Sequence, residues 1–196
     1  APVGYIFDPD TLHQIARKEL GLLDDGTPPG RPIEEIIRGL RTELARRYPG
    51  HIEMDETWIL NVAGGAMGQM QLLHSSITEY LMIFGTPIGT EGHTGRFFAT
   101  DYFYILEGEQ WAYREGELEK RIYKPGDCHV HPFRAAGGYR MPDRCFAMEY
   151  ARGAIPAMLP FGIADAATST LDGKSVAKTF KAYAKAVVRN LAHGKI

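Results

Sequence analysis

Between Trp58 and Tyr150 the chain is cut into short apolar and aromatic runs by glycine, proline and charged turns. The runs are Trp58 to Val62, Met70 to His74, Tyr80 to Phe84, Tyr102 to Arg114, Lys120 to Tyr123, Cys128 to His131, Tyr139 to Met141 and Cys145 to Tyr150. Short strand-like segments at such spacing predict a β sandwich or barrel. Helical patterns flank them. Asp8-Pro9 supplies an N-cap and a first-turn proline, Leu12, Ile15, Ala16 and Leu20 repeat at helical spacing, and Gly21 stops that helix. After a turn-rich linker from Asp24 to Gly30, a second helix is predicted from Pro32 to Tyr48. Ala154 to Ala167 is apolar and bent by Pro156 and Pro160, and a last helix runs from Lys174 to Ala192. Its predicted stripe is Val176, Phe180, Tyr183, Val187 and Leu191. The expected organisation is one domain over 1–196: helices in 1–50, a barrel in 55–152 and helices in 154–194.

With 196 residues, 44% apolar, the chain can bury one sizeable core. A net charge of −2 gives no electrostatic reason to expect nucleic acid. Two cysteines, Cys128 and Cys145, make no disulfide framework, and both sit in apolar strands where a thiol is a poor nucleophile. No segment approaches the roughly 20 apolar residues of a membrane-spanning helix. The start, Ala1-Pro2-Val3-Gly4, shows no signal-peptide pattern and no initiator Met, so a processed or trimmed N-terminus is expected.

Glu149 stands inside Cys145-Phe146-Ala147-Met148-Glu149-Tyr150-Ala151. Simple alternation can send it to solvent. Turned inward, it needs a partner or a raised pKa, and an acid that stays protonated near neutral pH can donate a proton. Asp101 poses the same choice within Phe97 to Tyr104: it caps the strand start, or it shares an apolar cavity and a proton with Glu149. Met70, Leu72 and His74 share one strand face, as do Tyr80, Met82 and Phe84; inward, they make an apolar wall. His129 and His131 also share a face and, with Glu149 or His93, have the donor types of a metal cupin, but the pair follows the Pro125-Gly126-Asp127 turn instead of preceding it. The glycines from Gly85 to Gly95 lack a phosphate-loop pattern and predict a structural loop.

Several stretches carry a family resemblance: Asn61-Val62-Ala63-Gly64-Gly65-Ala66-Met67-Gly68, Leu72-Leu73-His74-Ser75-Ser76, Gly92-His93-Thr94-Gly95-Arg96, Tyr123-Lys124-Pro125-Gly126-Asp127 and Met148-Glu149-Tyr150-Ala151-Arg152-Gly153-Ala154-Ile155-Pro156. In these the chain resembles the fungal C-8 sterol isomerase and sigma receptor family, the isomerase branch more closely through Asp101-Tyr102-Phe103 and Met158 to Gly162. The resemblance implies an α+β fold, a cupin-like β barrel flanked by N-terminal helices and a C-terminal helical pair. It implies Glu149 and Asp101 as catalytic acids. It maps substrate contacts onto Met70, Leu72, Tyr80, Met82, Phe84, His131, Tyr139, Met141, Ile155, Leu159 and Tyr183. The implied reaction moves a sterol double bond from C8 to C7 with no cofactor and no metal; binding of cationic amphiphiles without catalysis is the alternative. It further implies a homotrimer, contact with a membrane surface through the C-terminal helices, and association with the endoplasmic reticulum membrane.

Overall fold

The computed structural model describes residues 4–22 and 30–195. Two helices open the chain, α1 (Pro9–Leu20) and α2 (Ile33–Arg47). Asp8 accepts from Thr11 N at 2.8 Å, and Gly21, at φ 57°, closes α1 in the left-handed region that glycine reaches without strain. The expected linker from Asp24 to Gly30 lies outside the described residues except for Gly30.

Ten strands follow: β1 (Ile59–Ala63), β2 (Ala66–Ser75), β3 (Glu79–Thr86), β4 (Thr90–His93), β5 (Ala99–Glu107), β6 (Gln110–Arg114), β7 (Arg121–Tyr123), β8 (Cys128–His131), β9 (Gly137–Met141) and β10 (Cys145–Gly153). They form a six-stranded sheet in the order β1-β2-β3-β10-β5-β8 and a four-stranded sheet in the order β4-β9-β6-β7. All pairings are antiparallel. The result is an α+β fold, a cupin-like β sandwich with helices at both ends of the chain. A single-turn 3-10 helix (Ile155–Met158) leads into α3 (Leu159–Thr168) and α4 (Gly173–Ala192).

Alternation splits β10 between two environments. Phe146, Met148 and Tyr150 pack with α1 and α2 in the main core, together with Leu81 and Ile83 of β3 and Tyr104 and Leu106 of β5. Their neighbours Ala147, Glu149 and Ala151 point to the opposite face, between the sheets. The main core therefore glues the helices to the outside of the large sheet and leaves its inner face free to build a cavity.

Four sequence expectations change. The run from Tyr102 to Arg114 is two strands in different sheets, because Gly108 (φ 72°) turns the chain and a Cβ there would lie 2.1 Å from Arg144 O. The segment from Gly85 to Gly95 is not only a loop: β3 reaches Thr86, and β4 pairs with β9. His74 leaves the face of Met70 and Leu72. The register slips between Leu72 and His74, so His74 pairs with Leu81, packs on Phe7 and bonds His51 O. The buried residues of α4 are Ser175, Ala186 and Asn190, while Phe180, Val188 and Leu191 are exposed. Asn190 explains the rotation. Its side chain donates to Ser75 O at 3.0 Å and bonds His51 Nδ1 at 3.0 Å, and neighbouring Arg189 reaches Glu53 at 3.0 Å. A polar anchor and small side chains bring the helix against the sheet, so Phe180, Val188 and Leu191 turn away from it, while Tyr183 of the expected stripe faces the cavity.

Candidate active site

The inner face of β10 reads Cys145, Ala147, Glu149, Ala151, Gly153, one carboxylate among small residues. Cross-strand register then arranges the site in rows. Tyr80 on β3, Ala151 on β10, Asp101 on β5 and His131 on β8 form one row. Met82, Glu149, Phe103 and His129 form the next. Asp101 and Glu149 are thus diagonal neighbours on adjacent strands, at roughly 7 Å by sheet geometry. The methyl group of Ala151 leaves the space between Tyr80 and Asp101 open, and Glu149 lies alongside it.

Both acids are buried, Asp101 at 3% and Glu149 at 7% exposure. The Tyr80 hydroxyl donates a short hydrogen bond to Glu149 Oε1. Asp101 Oδ1 is buried with no hydrogen-bond partner among the described residues. Burial raises the Glu149 carboxyl from 4.5 to about 7, and the Tyr80 bond pulls in the opposite direction. Asp101 is pushed well above its usual range, first by burial and then by the charge of Glu149. Two carboxylates roughly 7 Å apart at an effective dielectric constant near 20 repel by about 2 kcal/mol, in addition to the cost of burying each. Burial and mutual repulsion therefore favour a single proton shared by the pair near neutral pH. Burial together with the Glu149 charge also raises the Tyr80 and Tyr139 hydroxyls, so both stay protonated.

These groups face a cavity of about 160 Å³. Met70, Leu72, Tyr80, Met82, Phe84, His131, Tyr139, Ile155, Leu159 and Tyr183 line it along with Asp101 and Glu149. Met141 does not; it is buried beside Met70, Phe84 and Ala147. Sequence reasoning missed Phe97, Phe103, Gln110, His129 and Ala182 as lining residues. The parity of Asp101, Phe103 and His129 held a usable signal for part of that set. Gln110 gave none, because it reaches the cavity from the opposite sheet.

One end of the cavity is apolar. Ile155, Met158, Leu159, Phe161 and Ile163 close it, with Ala182 and Tyr183 of α4. This cover is fastened by Asn61 Nδ2 donating to Gly162 O at 3.2 Å, Gly65 N to Asp165 Oδ2 at 2.9 Å and Tyr183 Oη to Ser76 O at 3.3 Å.

The histidines are otherwise engaged. His129 Nδ1 bonds Gln110 Oε1, His131 Nε2 bonds Ala135 O, and His93 Nδ1 accepts from Gly95 N. Among the described residues, no group of three or more His, Cys, Asp or Glu side chains is placed to hold a metal ion. Burial pushes the Cys128 and Cys145 thiols up to about 12. Among the described residues, no helix is long and apolar enough to cross a membrane.

Fold and cavity together define a cupin-like sandwich protein that seals an acidic pair inside an apolar pocket. The family described as "ERG2 and Sigma1 receptor like protein" matches residues 1–195, and the chain belongs to that family. It is 45% identical to a C-8 sterol isomerase of Neurospora crassa over 97% of this chain and 73% of the relative. The C-8 sterol isomerase ERG2 of Gibberella zeae is 43% identical over 98% of this chain and 79% of its own length. A sigma non-opioid intracellular receptor 1 of Gallus gallus is 37% identical over 94% of this chain and 80% of that protein. Among solved structures, an RmlC-like cupin from Shewanella frigidimarina covers 53% of this chain and 91% of its own, at 19% identity and a TM-score of 0.44.

Proposed function

We propose that this chain is a C-8 sterol isomerase that moves a ring double bond from C8 to C7. The observation that carries the reading is the Asp101–Glu149 pair, two carboxyl groups buried together in a cavity lined mainly by apolar and aromatic side chains. The similarity to fungal C-8 sterol isomerases supports the substrate class.

The reaction needs an acid, a base and an environment that tolerates a cation. Protonated Asp101 donates to C9, the C8=C9 π pair forms the new C–H bond, and a tertiary cation remains at C8. Glu149 then removes a proton from C7, and that C–H electron pair becomes the C7=C8 double bond. Glu149 then gives this proton to solvent and Asp101 takes one up as product leaves, which restores the starting pair with no net proton gained or lost over the cycle. The negative charge shared by the pair stabilises the cation where water is excluded. Tyr80, Phe84 and Phe103 add cation–π attraction of about 1–2 kcal/mol each at most. Tyr80 has a further role: its hydroxyl keeps Glu149 ionised, and therefore basic, close to neutral pH.

The exposed apolar side chains of α4, with Phe180 45% and Val188 66% accessible, support contact with a membrane surface, where sterols reside. A second reading, a binding protein for cationic amphiphiles, rests on an ionised Glu149 among aromatic rings and on the likeness to the sigma receptor. Ala66, small and lining the cavity, favours the sterol by leaving room. Incubating the protein with a Δ8-sterol in detergent micelles and separating the products by chromatography decides between them. A Δ7 product with the native chain, and none with Asp101→Asn, supports the isomerase; no product from the native chain leaves the binding protein.

A further inference from the structure

The geometry points to a subsite for the sterol's C3 hydroxyl, built by Gln110 and His129 at the end of the cavity away from α3 and α4. This inference deepens the isomerase reading and rests on its substrate class.

Gln110 and His129 are the best-hidden neutral polar pair in the cavity wall, at 1% and 5% exposure. They reach it from opposite sheets and bond each other at 2.7 Å, through Nδ1 and Oε1. Tyr123 stacks on the His129 ring at 4.6 Å, with Phe103 at 6.0 Å on the inner wall, so the ring is held in place. That mutual bond uses one donor and one acceptor. With the proton on Nδ1, His129 Nε2 remains an acceptor and the Gln110 amide a donor. With the opposite tautomer and the amide flipped, His129 Nε2–H is the donor and the Gln110 oxygen the acceptor. Either arrangement leaves at least one donor and one acceptor without a partner among the described residues. A hydroxyl group is both donor and acceptor, and it satisfies both at once. Three other polar side chains of the cavity wall are already engaged, Asn61 with Gly162 O, His131 with Ala135 O and Thr94 with Gly137 O.

Placement fits the same assignment. His129 lies in the row of Glu149, two strands away, roughly 10 Å at sheet spacing. It is two residues along β8 from His131, the partner of Asp101, on the same face. A sterol whose ring B meets the acids carries its C3 hydroxyl one fused ring further on. α3 and α4 contact β1 and β2, at the opposite edge of the large sheet from β8. The apolar side chain of the sterol then points to the apolar cover, and its one polar group to the polar end. Burial lowers His129 to about 4, which keeps the ring neutral and suited to a neutral ligand.

The test compares a 3β-hydroxy-Δ8-sterol with its 3-deoxy counterpart. The native protein is expected to favour the hydroxy compound by at least about tenfold in kcat/KM, because the deoxy compound leaves two buried polar groups unpaired. In Gln110→Leu and in His129→Leu the preference is expected to fall to within about twofold. Equal use of both compounds by the native protein, or a tenfold preference that survives in both variants, overturns the subsite. Since the native comparison uses no variant, misfolding of either variant leaves it decisive. Equilibrium binding of the same two compounds reads the subsite without catalysis: a tenfold affinity difference with no conversion sinks the isomerase reading while keeping the hydroxyl site.

Discussion

Replacing Glu149 with glutamine should make the protein more stable at pH 8 and inactive. In the folded chain this carboxyl is raised from 4.5 to about 7 by burial. The sign follows from linkage. A carboxyl whose pKa is raised on folding costs nothing below its unfolded value, and the cost grows as pH rises toward the folded value. Above about pH 7 the native protein carries the full cost, about 3 kcal/mol. Glutamine resembles the protonated acid and still accepts from the Tyr80 hydroxyl, so it avoids the cost. Glu149→Gln should therefore gain about 3 kcal/mol at pH 8 and close to nothing at pH 4. In a chain of this size that is a rise in melting temperature of about 6–12 °C at pH 8. Urea denaturation at both pH values measures it. A variant no more stable than the native chain at pH 8, or equally stabilised at both pH values, would refute the claim that an ionised Glu149 is buried at cost.

Three further outcomes follow from the same geometry. Tyr80→Phe removes the bond that lowers the Glu149 pKa, so the acid limb of the kcat/KM–pH profile, expected near pH 7 in the native protein, should move to higher pH; an unmoved limb would remove Tyr80 from the account. Ala151→Phe should fill the space between Tyr80 and Asp101, abolish conversion and cost about 1–3 kcal/mol of stability by overpacking, read by activity and melting together. Lys195→Met should cost about 3–5 kcal/mol, because it strands Glu79, buried at 0% exposure on the outer face of the same sheet and ion-paired with Lys195 at 2.9 Å; Glu79 also accepts from Ile6 N at 2.7 Å and Tyr150 Oη at 2.8 Å, so a loss under 1 kcal/mol would mean that those bonds suffice.

What could be read from the sequence was whatever depends on near neighbours. Asp8, Pro9 and Gly21 set the limits of α1 through local capping chemistry, and alternation put Tyr80, Met82 and Phe84 on one inner face. The acids Asp101 and Glu149 stood out as carboxylates in aromatic and apolar strands. What stayed hidden depends on partners distant in the chain. The slip at Leu72 is fixed by pairing with β3, and it moved His74 into the outer core. The docking face of α4 is set by Asn190 and its bonds to Ser75 and His51, which keeps Tyr183 of the expected apolar stripe inward and leaves Phe180 and Leu191 exposed. Gln110 and His129 meet only because two sheets close over each other, which no spacing along the chain encodes.

The most direct test of the central claim is conversion of a Δ8-sterol in D₂O, with mass spectrometry of the product. A proton delivered by the Asp101–Glu149 pair predicts one deuterium at C9 of the Δ7 product, and no product from Asp101→Asn or Glu149→Gln. A Δ7 product without deuterium at C9, or undiminished conversion by either variant, would contradict proton transfer by this pair.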